Sequence, residues 1–204
     1  MAKISTVDYE AIPGQASQMR SNGQQLNSEL TTVYQSIGDM HSSWYGVRYN
    51  SLVTSFNEIV ETLNELLQLV VTDIPVALEN VANNYSQADA GSSVTSVDST
   101  GPNKITELAL TTDVGMRFIT SEVQTVQSSV SQNFSNAVEQ MNAIESVFNS
   151  ITWESEAADA FKAQFTELKE DIVSSFEDLK EQFVTLMEQT QEDIQNAETA
   201  NTVS

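Results

Sequence analysis

The chain has 204 residues, and its 29 acidic against 8 basic side chains leave a formal charge of −21. That balance excludes a binder of nucleic acid or of anionic membranes, because both attract cationic surfaces, and it predicts a soluble protein that repels phosphate backbones. The absence of cysteine removes disulfides and thiolate zinc sites, and the scarcity of glycine (7) and proline (3) favours long helices over a sheet.

Residues Met1-Ala2-Lys3-Ile4-Ser5 show no basic segment leading into an apolar run, so an ordinary secretory signal is not expected. A first helix is predicted to begin between Thr6 and Pro13, with Asp8 as its cap and Pro13 tolerable only near the first turn. Its buried stripe is Met19, Leu26, Leu30, Val33 and Ile37, and Gly23 in its interior costs about 1 kcal/mol relative to alanine. The stretch from Gly38 to Gly46 reads as a turn short enough to make the flanking helices an antiparallel hairpin.

The second helix is predicted to run to about Ala88. Its apolar residues Leu52, Phe56, Ile59, Leu63, Leu66, Val70, Ile74, Leu78, Val81 and Tyr85 follow in steps of three or four, the spacing of one helical face. Pro75 lies inside it, removes one backbone hydrogen bond and crowds the carbonyl of Val71, so a bend is expected there. The most apolar window, Leu63 to Leu78, is interrupted by Asn64, Glu65, Gln68, Thr72, Asp73 and Pro75. It falls short of the roughly 20 apolar residues that span a bilayer, and no stable membrane insertion is expected.

Residues 90–111 form a Ser/Thr/Gly-rich linker without helical period, whose Ile105, Leu108 and Leu110 can lie along an apolar groove. A third helix is predicted from Thr112 or Asp113, burying Ile119, Val123, Val126, Val130, Phe134, Met141, Ile144 and Phe148. The fourth has the most regular stripe, Phe161, Phe165, Leu168, Ile172, Phe176, Leu179, Phe183, Leu186 and Ile194. Glu154 and Glu156 sit in its first turn, where the helix dipole favours negative charge.

The second half repeats the first. A shift of 109, the separation of Trp44 and Trp153, carries Phe56 to Phe165, Leu63 to Ile172, Val70 to Leu179, Ile74 to Phe183 and Leu78 to Met187 without a gap. It also carries Gly46 to Ser155, Tyr85 to Ile194 and Asp89 to Glu198. The third helix needs a shift of 111, so the turn before Trp153 is about two residues tighter. The expected organisation is a hairpin over 1–89, a linker over 90–111 and a second hairpin over 112–204. Each hairpin is too thin to bury its own apolar face, at roughly 1.5–3 kcal/mol per large side chain. The expected fold is all-α, two long helical hairpins packed as a four-helix bundle. A 40-residue helix is about 60 Å long, and the linker reaches roughly 75 Å at full extension. It can therefore traverse the bundle, which favours a head-to-tail pair.

A helical hairpin with Trp-Xaa-Gly in its turn (Trp44, Gly46) and Tyr-Xaa-Xaa-Xaa-Asp/Glu at its end (Tyr85, Asp89) resembles the WXG (ESAT-like) family of type VII secretion proteins. The second half keeps Trp153 and Glu198 but departs at Ser155 and Ile194. The resemblance implies head-to-tail hairpins whose turn and tail motifs form a composite export signal read by the secretion ATPase. It would place Tyr85 and Asp89 beside Trp153, with Ile194 and Glu198 a degenerate second tail. It further implies a non-enzymatic protein made in the cytoplasm and exported without a cleaved signal, acting by protein–protein contact. Two alternatives stay open: a targeting partner that escorts a larger helical-headed effector to the same machinery, and a structural coiled coil unrelated to secretion.

Packing alone can account for some of these residues, since Trp44 and Trp153 can cap the bundle ends and Tyr85 can be the last core residue of its stripe. Glu167, Glu170, Asp171, Glu177, Asp178 and Glu181 read as a water-facing surface without a glycine-containing calcium loop. His41, the sole histidine, has no second nitrogen or sulfur ligand for a metal. Met116, Met141 and Met187 read as core filling. Without cysteine, and with one histidine and no Gly-rich phosphate loop, neither catalysis nor a cofactor is expected.

Overall fold

The computed structural model describes residues 7–201. Five α-helices are present: α1 (Ile12–Asp39), α2 (Val47–Gln68), α3 (Ile74–Ala90), α4 (Thr120–Ser150) and α5 (Glu156–Asn201). A π-helical turn, Leu69–Asp73, joins α2 to α3. Two-residue strands β1 (Trp44–Tyr45) and β2 (Arg117–Phe118) pair antiparallel. The architecture is the all-α bundle of two hairpins expected from the periodicity.

Local chemistry sets the helix ends. Pro13 sits in the first turn of α1, where its missing N–H was unbonded in any case, and the Asp8 carboxylate accepts from the Ala11 N–H at 3.1 Å just ahead of it. Gly46 opens α2 at φ 122°, a conformation that glycine adopts without a Cβ penalty. Gly91 ends α3 in the left-handed region at φ 71°, its N–H donating to Gln87 O. Between α1 and α2 lie residues 40–46, and between α4 and α5 residues 151–155, so the second turn is two residues tighter, as the change of repeat offset requires.

The bend expected at Pro75 takes a specific form. Proline cannot donate to the carbonyl of Val71, and the backbone widens into the π turn just before it. The Nε of Arg20 on α1 donates to that Val71 carbonyl at 3.3 Å. Helix α1 crosses at this point, and a Cβ on Gly23 would stand 2.8 Å from Cγ2 of Val71, so glycine permits the approach.

The pairing of the hairpins is head to tail. Helix α1 lies against α4 and α2 against α5. Ile119 N–H donates to Ser43 O at the end of α1, while Gln15 Nε2 donates to Ser150 O at the end of α4. The two helices therefore run antiparallel. Trp44, just ahead of α2, stacks on Phe183 in the second half of α5, and Arg48 binds Asp193 closer to that helix's end. Every α1 stripe residue named above is buried, as are Phe165, Leu168, Ile172, Phe176, Leu179 and Phe183 of α5, in one continuous core. Phe134 and Phe176 stack at 4.2 Å within it.

Three expectations need correction. Helix α4 starts at Thr120 rather than Thr112 or Asp113, because residues 112–116 stay non-helical and β2 is held by β1. Of the linker residues expected in a groove, Ile105 and Leu108 are buried, but Leu110 is exposed. Met116 is likewise exposed rather than core filling.

Candidate functional site

Each bundle end joins the turn of one hairpin to the open end of the other. At the first, Trp44 is 1 % exposed. Its indole stacks on Phe183 at 5.9 Å and meets Phe118 at 5.6 Å and Tyr49 at 6.2 Å edge-on. The Tyr49 hydroxyl donates to Ile37 O at 3.1 Å, and burial, with Asp39 nearby, raises its pKa to about 12. Ser43 donates to the Glu122 carboxylate. Arg48 grips α5, donating to Asp193 at 2.6 Å and to Gln189 at 2.5 Å. Ile194 and Glu198 lie on this same helix just past Asp193, half-buried and exposed respectively. The first turn thus shares one end with Ile194 and Glu198.

An open cavity of about 380 Å³ sits there, lined by Trp44, Gly46, Arg48, Met116, Thr190 and Asp193 among others. Val47, 84 % exposed, and Val114 stand out from the same end as apolar side chains in water. Among the described residues no cluster of three or more His, Asp or Glu is arranged to hold a metal ion, and His41 instead faces one carboxylate. Its Nε2 lies 2.6 Å from Asp113, a bond that, with one from Thr111, holds the Asp113 carboxyl below the usual carboxylate range.

The opposite end gathers the intact tail motif and the second turn. Val7 pairs antiparallel with Trp153 through the backbone. Two residues on, the Tyr9 hydroxyl donates to Asp89 at 2.5 Å, and that bond raises the Tyr9 pKa above the usual tyrosine range. A single short segment therefore touches both Trp153 and Asp89. Trp153 is only half-buried, unlike Trp44. Tyr85 is 40 % exposed, so it is not the last core residue of the α3 stripe.

The departure from Trp-Xaa-Gly in the second turn has a structural counterpart. Among the described residues positive φ is confined to glycine, and Ser155 does not reproduce the Gly46 conformation. Its hydroxyl instead accepts the Ala158 N–H at 3.1 Å, capping α5. Where one turn uses a glycine bend, the other uses a side-chain cap.

Residues 5–90 match the WXG100 family, proteins of 100 residues with WXG. The match covers the first hairpin and both of its motifs, Trp44-Tyr45-Gly46 and Tyr85 to Asp89, and stops at the linker. No curated protein and no solved structure matches the chain. Among the described residues no helix is long and apolar enough to cross a membrane.

The two-strand clamp and the Val7–Tyr9 bridge went unforeseen. The clamp has only two residues per strand, too few for an alternating pattern to register. Arg48 could have been noticed, since it is one of only eight bases and directly follows the turn motif.

Proposed function

We propose that the chain is a substrate of type VII secretion: a non-enzymatic helical bundle exported without a cleaved signal, which acts by binding other proteins. The second hairpin is a second, degenerate copy of the module, so that one polypeptide supplies the pair that the family otherwise assembles from two. The export signal is the end that carries Tyr85, Asp89 and the Trp153 turn, and its reader is the membrane ATPase of the secretion machinery. The observation that carries this reading is the shared placement of Asp89 and Trp153 on the Val7–Tyr9 segment. The family match over 5–90 supports it. An escort for a larger effector needs a broad apolar face free to receive it. The stripes of α1, α2, α4 and α5 are instead buried against one another, which favours the substrate reading.

Export from a strain with an intact type VII system tests it. Tyr85→Ala and Asp89→Asn should each reduce the exported fraction at least tenfold. Tyr9→Phe loses the hydrogen bond but keeps the carboxylate, and should export normally. Normal export of Tyr85→Ala and Asp89→Asn would refute the signal.

A further inference from the structure

Residues 102–111 lie along the first hairpin in a repeat of three. Pro102 and Thr111 are half-buried, Ile105 and Leu108 are buried, and the residues between them are exposed. Facing them, α2 carries Asn50, Asn57 and Asn64, seven residues apart. Each amide takes both backbone groups of one residue. Asn64 accepts from Ile105 N–H at 2.9 Å and donates to Ile105 O at 2.8 Å. Asn57 does the same for Leu108 at 2.8 and 2.9 Å, and Asn50 for Thr111 at 2.9 and 3.0 Å.

Seven helical residues advance about 10.5 Å and three extended residues about 10 Å, so the rungs stay in register. The next rung would set Val71 against Pro102, where the helix offers no amide and the strap no N–H. The ladder ends there. On the other side Asn27 of α1 donates to Asn103 O at 2.8 Å. The second hairpin has Asp159, Thr166 and Val173 at the corresponding positions, so it has no such ladder.

These amides read the main chain and tolerate any residue except proline on a rung, while the groove beneath takes aliphatic side chains at two successive rungs, Ile105 and Leu108. A cleft of about 1090 Å³ beside the strap is lined by Glu58, Glu61, Glu65 and Asp73, and by Lys104 from the strap itself. The acidic rim favours a cation next to the first apolar anchor.

We propose that this groove is a receptor for extended polypeptide, filled here by residues 103–111 as an internal ligand. A partner segment takes it when the strap is released. That segment has aliphatic residues three apart, a lysine or arginine before the first of them, and free N–H groups on the rungs. The inference stands apart from the secretion reading and fails or survives without it.

The probe is a fluorescent peptide of residues 103–112, read by anisotropy against the full chain. A tethered strap acts at an effective concentration on the order of millimolar, so the wild type should bind the peptide at least tenfold more weakly than the strap variant Ile105→Asp/Leu108→Asp. Adding Asn57→Leu and Asn64→Leu should abolish the gain, as should N-methylation of the peptide at Ile105 and Leu108. A folded strap variant that does not bind overturns the proposal, as does equal binding of the N-methylated peptide. If the double variant unfolds, Leu108→Asp alone replaces it. Unfolding of both shows the strap to be a fixed part of the core and overturns the proposal too.

Discussion

Arg20 offers the sharpest test of how α1 is fixed to α3. The residue is 9 % exposed, and its guanidinium faces Glu79, 4 % exposed, through two bonds of 2.8 and 3.2 Å. It also donates to Val71 O at 3.3 Å and to Asp98 O at 2.8 Å. Arg20→Ala leaves the Glu79 carboxylate buried with only the Asp98 N–H at 3.0 Å to oppose its charge. Removing one partner of a buried pair costs about 3–5 kcal/mol. Leaving the Val71 carbonyl without a donor adds about 1–3 kcal/mol. The double substitution Arg20→Met/Glu79→Leu removes both charges with similar volume, so what remains is the loss of the bonds to Val71 O and to the Asp98 backbone, the latter exposed to water, about 1–3 kcal/mol. Urea denaturation followed by circular dichroism at fixed pH and salt measures both. The reasoning is refuted if Arg20→Ala costs less than about 1 kcal/mol, below the cost of breaking any buried pair, or if the double variant is as unstable as the single.

Three further outcomes are expected. Gly14→Ala, where nothing lies within 4 Å of the new Cβ, should stabilise by up to about 1 kcal/mol through helix propensity. Gly23→Ala gains the same propensity but drives a Cβ to 2.8 Å from a stiff valine, an overpacking cost of about 1–3 kcal/mol, so denaturation should show net loss. Tyr49 keeps its proton to about pH 12 when folded, against 10.0 when free. Its folded pKa is the higher one, so its contribution is complete below pH 10 and declines as pH rises toward 12. Ultraviolet titration should show Tyr49 ionising late, in addition to the raised Tyr9, and Tyr49→Phe should remove its own part of that late step and its share of the alkaline loss of stability.

Much of the fold was legible because apolar spacing on long helices is redundant. A stripe such as Phe165, Leu168, Ile172, Phe176 survives any single exception, and the change of apolar offset from 109 to 111 matches a second turn that is two residues shorter. The linker's length was legible as reach, but its binding mode was not. A three-residue burial repeat in an extended segment resembles neither helical nor strand periodicity, and Asn50, Asn57 and Asn64 look like ordinary polar positions until a backbone lies across them. The late start of α4 was missed for a similar reason: Trp44 and Phe118 meet edge-on at 5.6 Å, a tertiary contact that local propensity does not register. At the candidate site, Trp44, Gly46, Tyr85 and Asp89 were legible as spacing motifs, whereas the tie from Asp89 to Tyr9 spans 80 residues and left no local trace.

The two hairpins differ where a symmetric pair could not. The first has the glycine bend at Gly46, a fully enclosed tryptophan and the asparagine ladder; the second has the Ser155 cap, a half-buried tryptophan and no ladder. In a dimer of identical chains both turns would face the same surroundings and answer to the same constraint. Within one chain each turn has its own neighbour: Phe183 and Phe118 enclose Trp44, while a single residue, Val7, pairs with the Trp153 backbone. The linker can also serve only one hairpin, since it is a single segment with one groove in register. Covalent connection therefore lets the two ends specialise, leaving Trp153 half-buried at one end while Trp44 at the other is enclosed by its aromatic neighbours beside the β1–β2 clamp and Arg48.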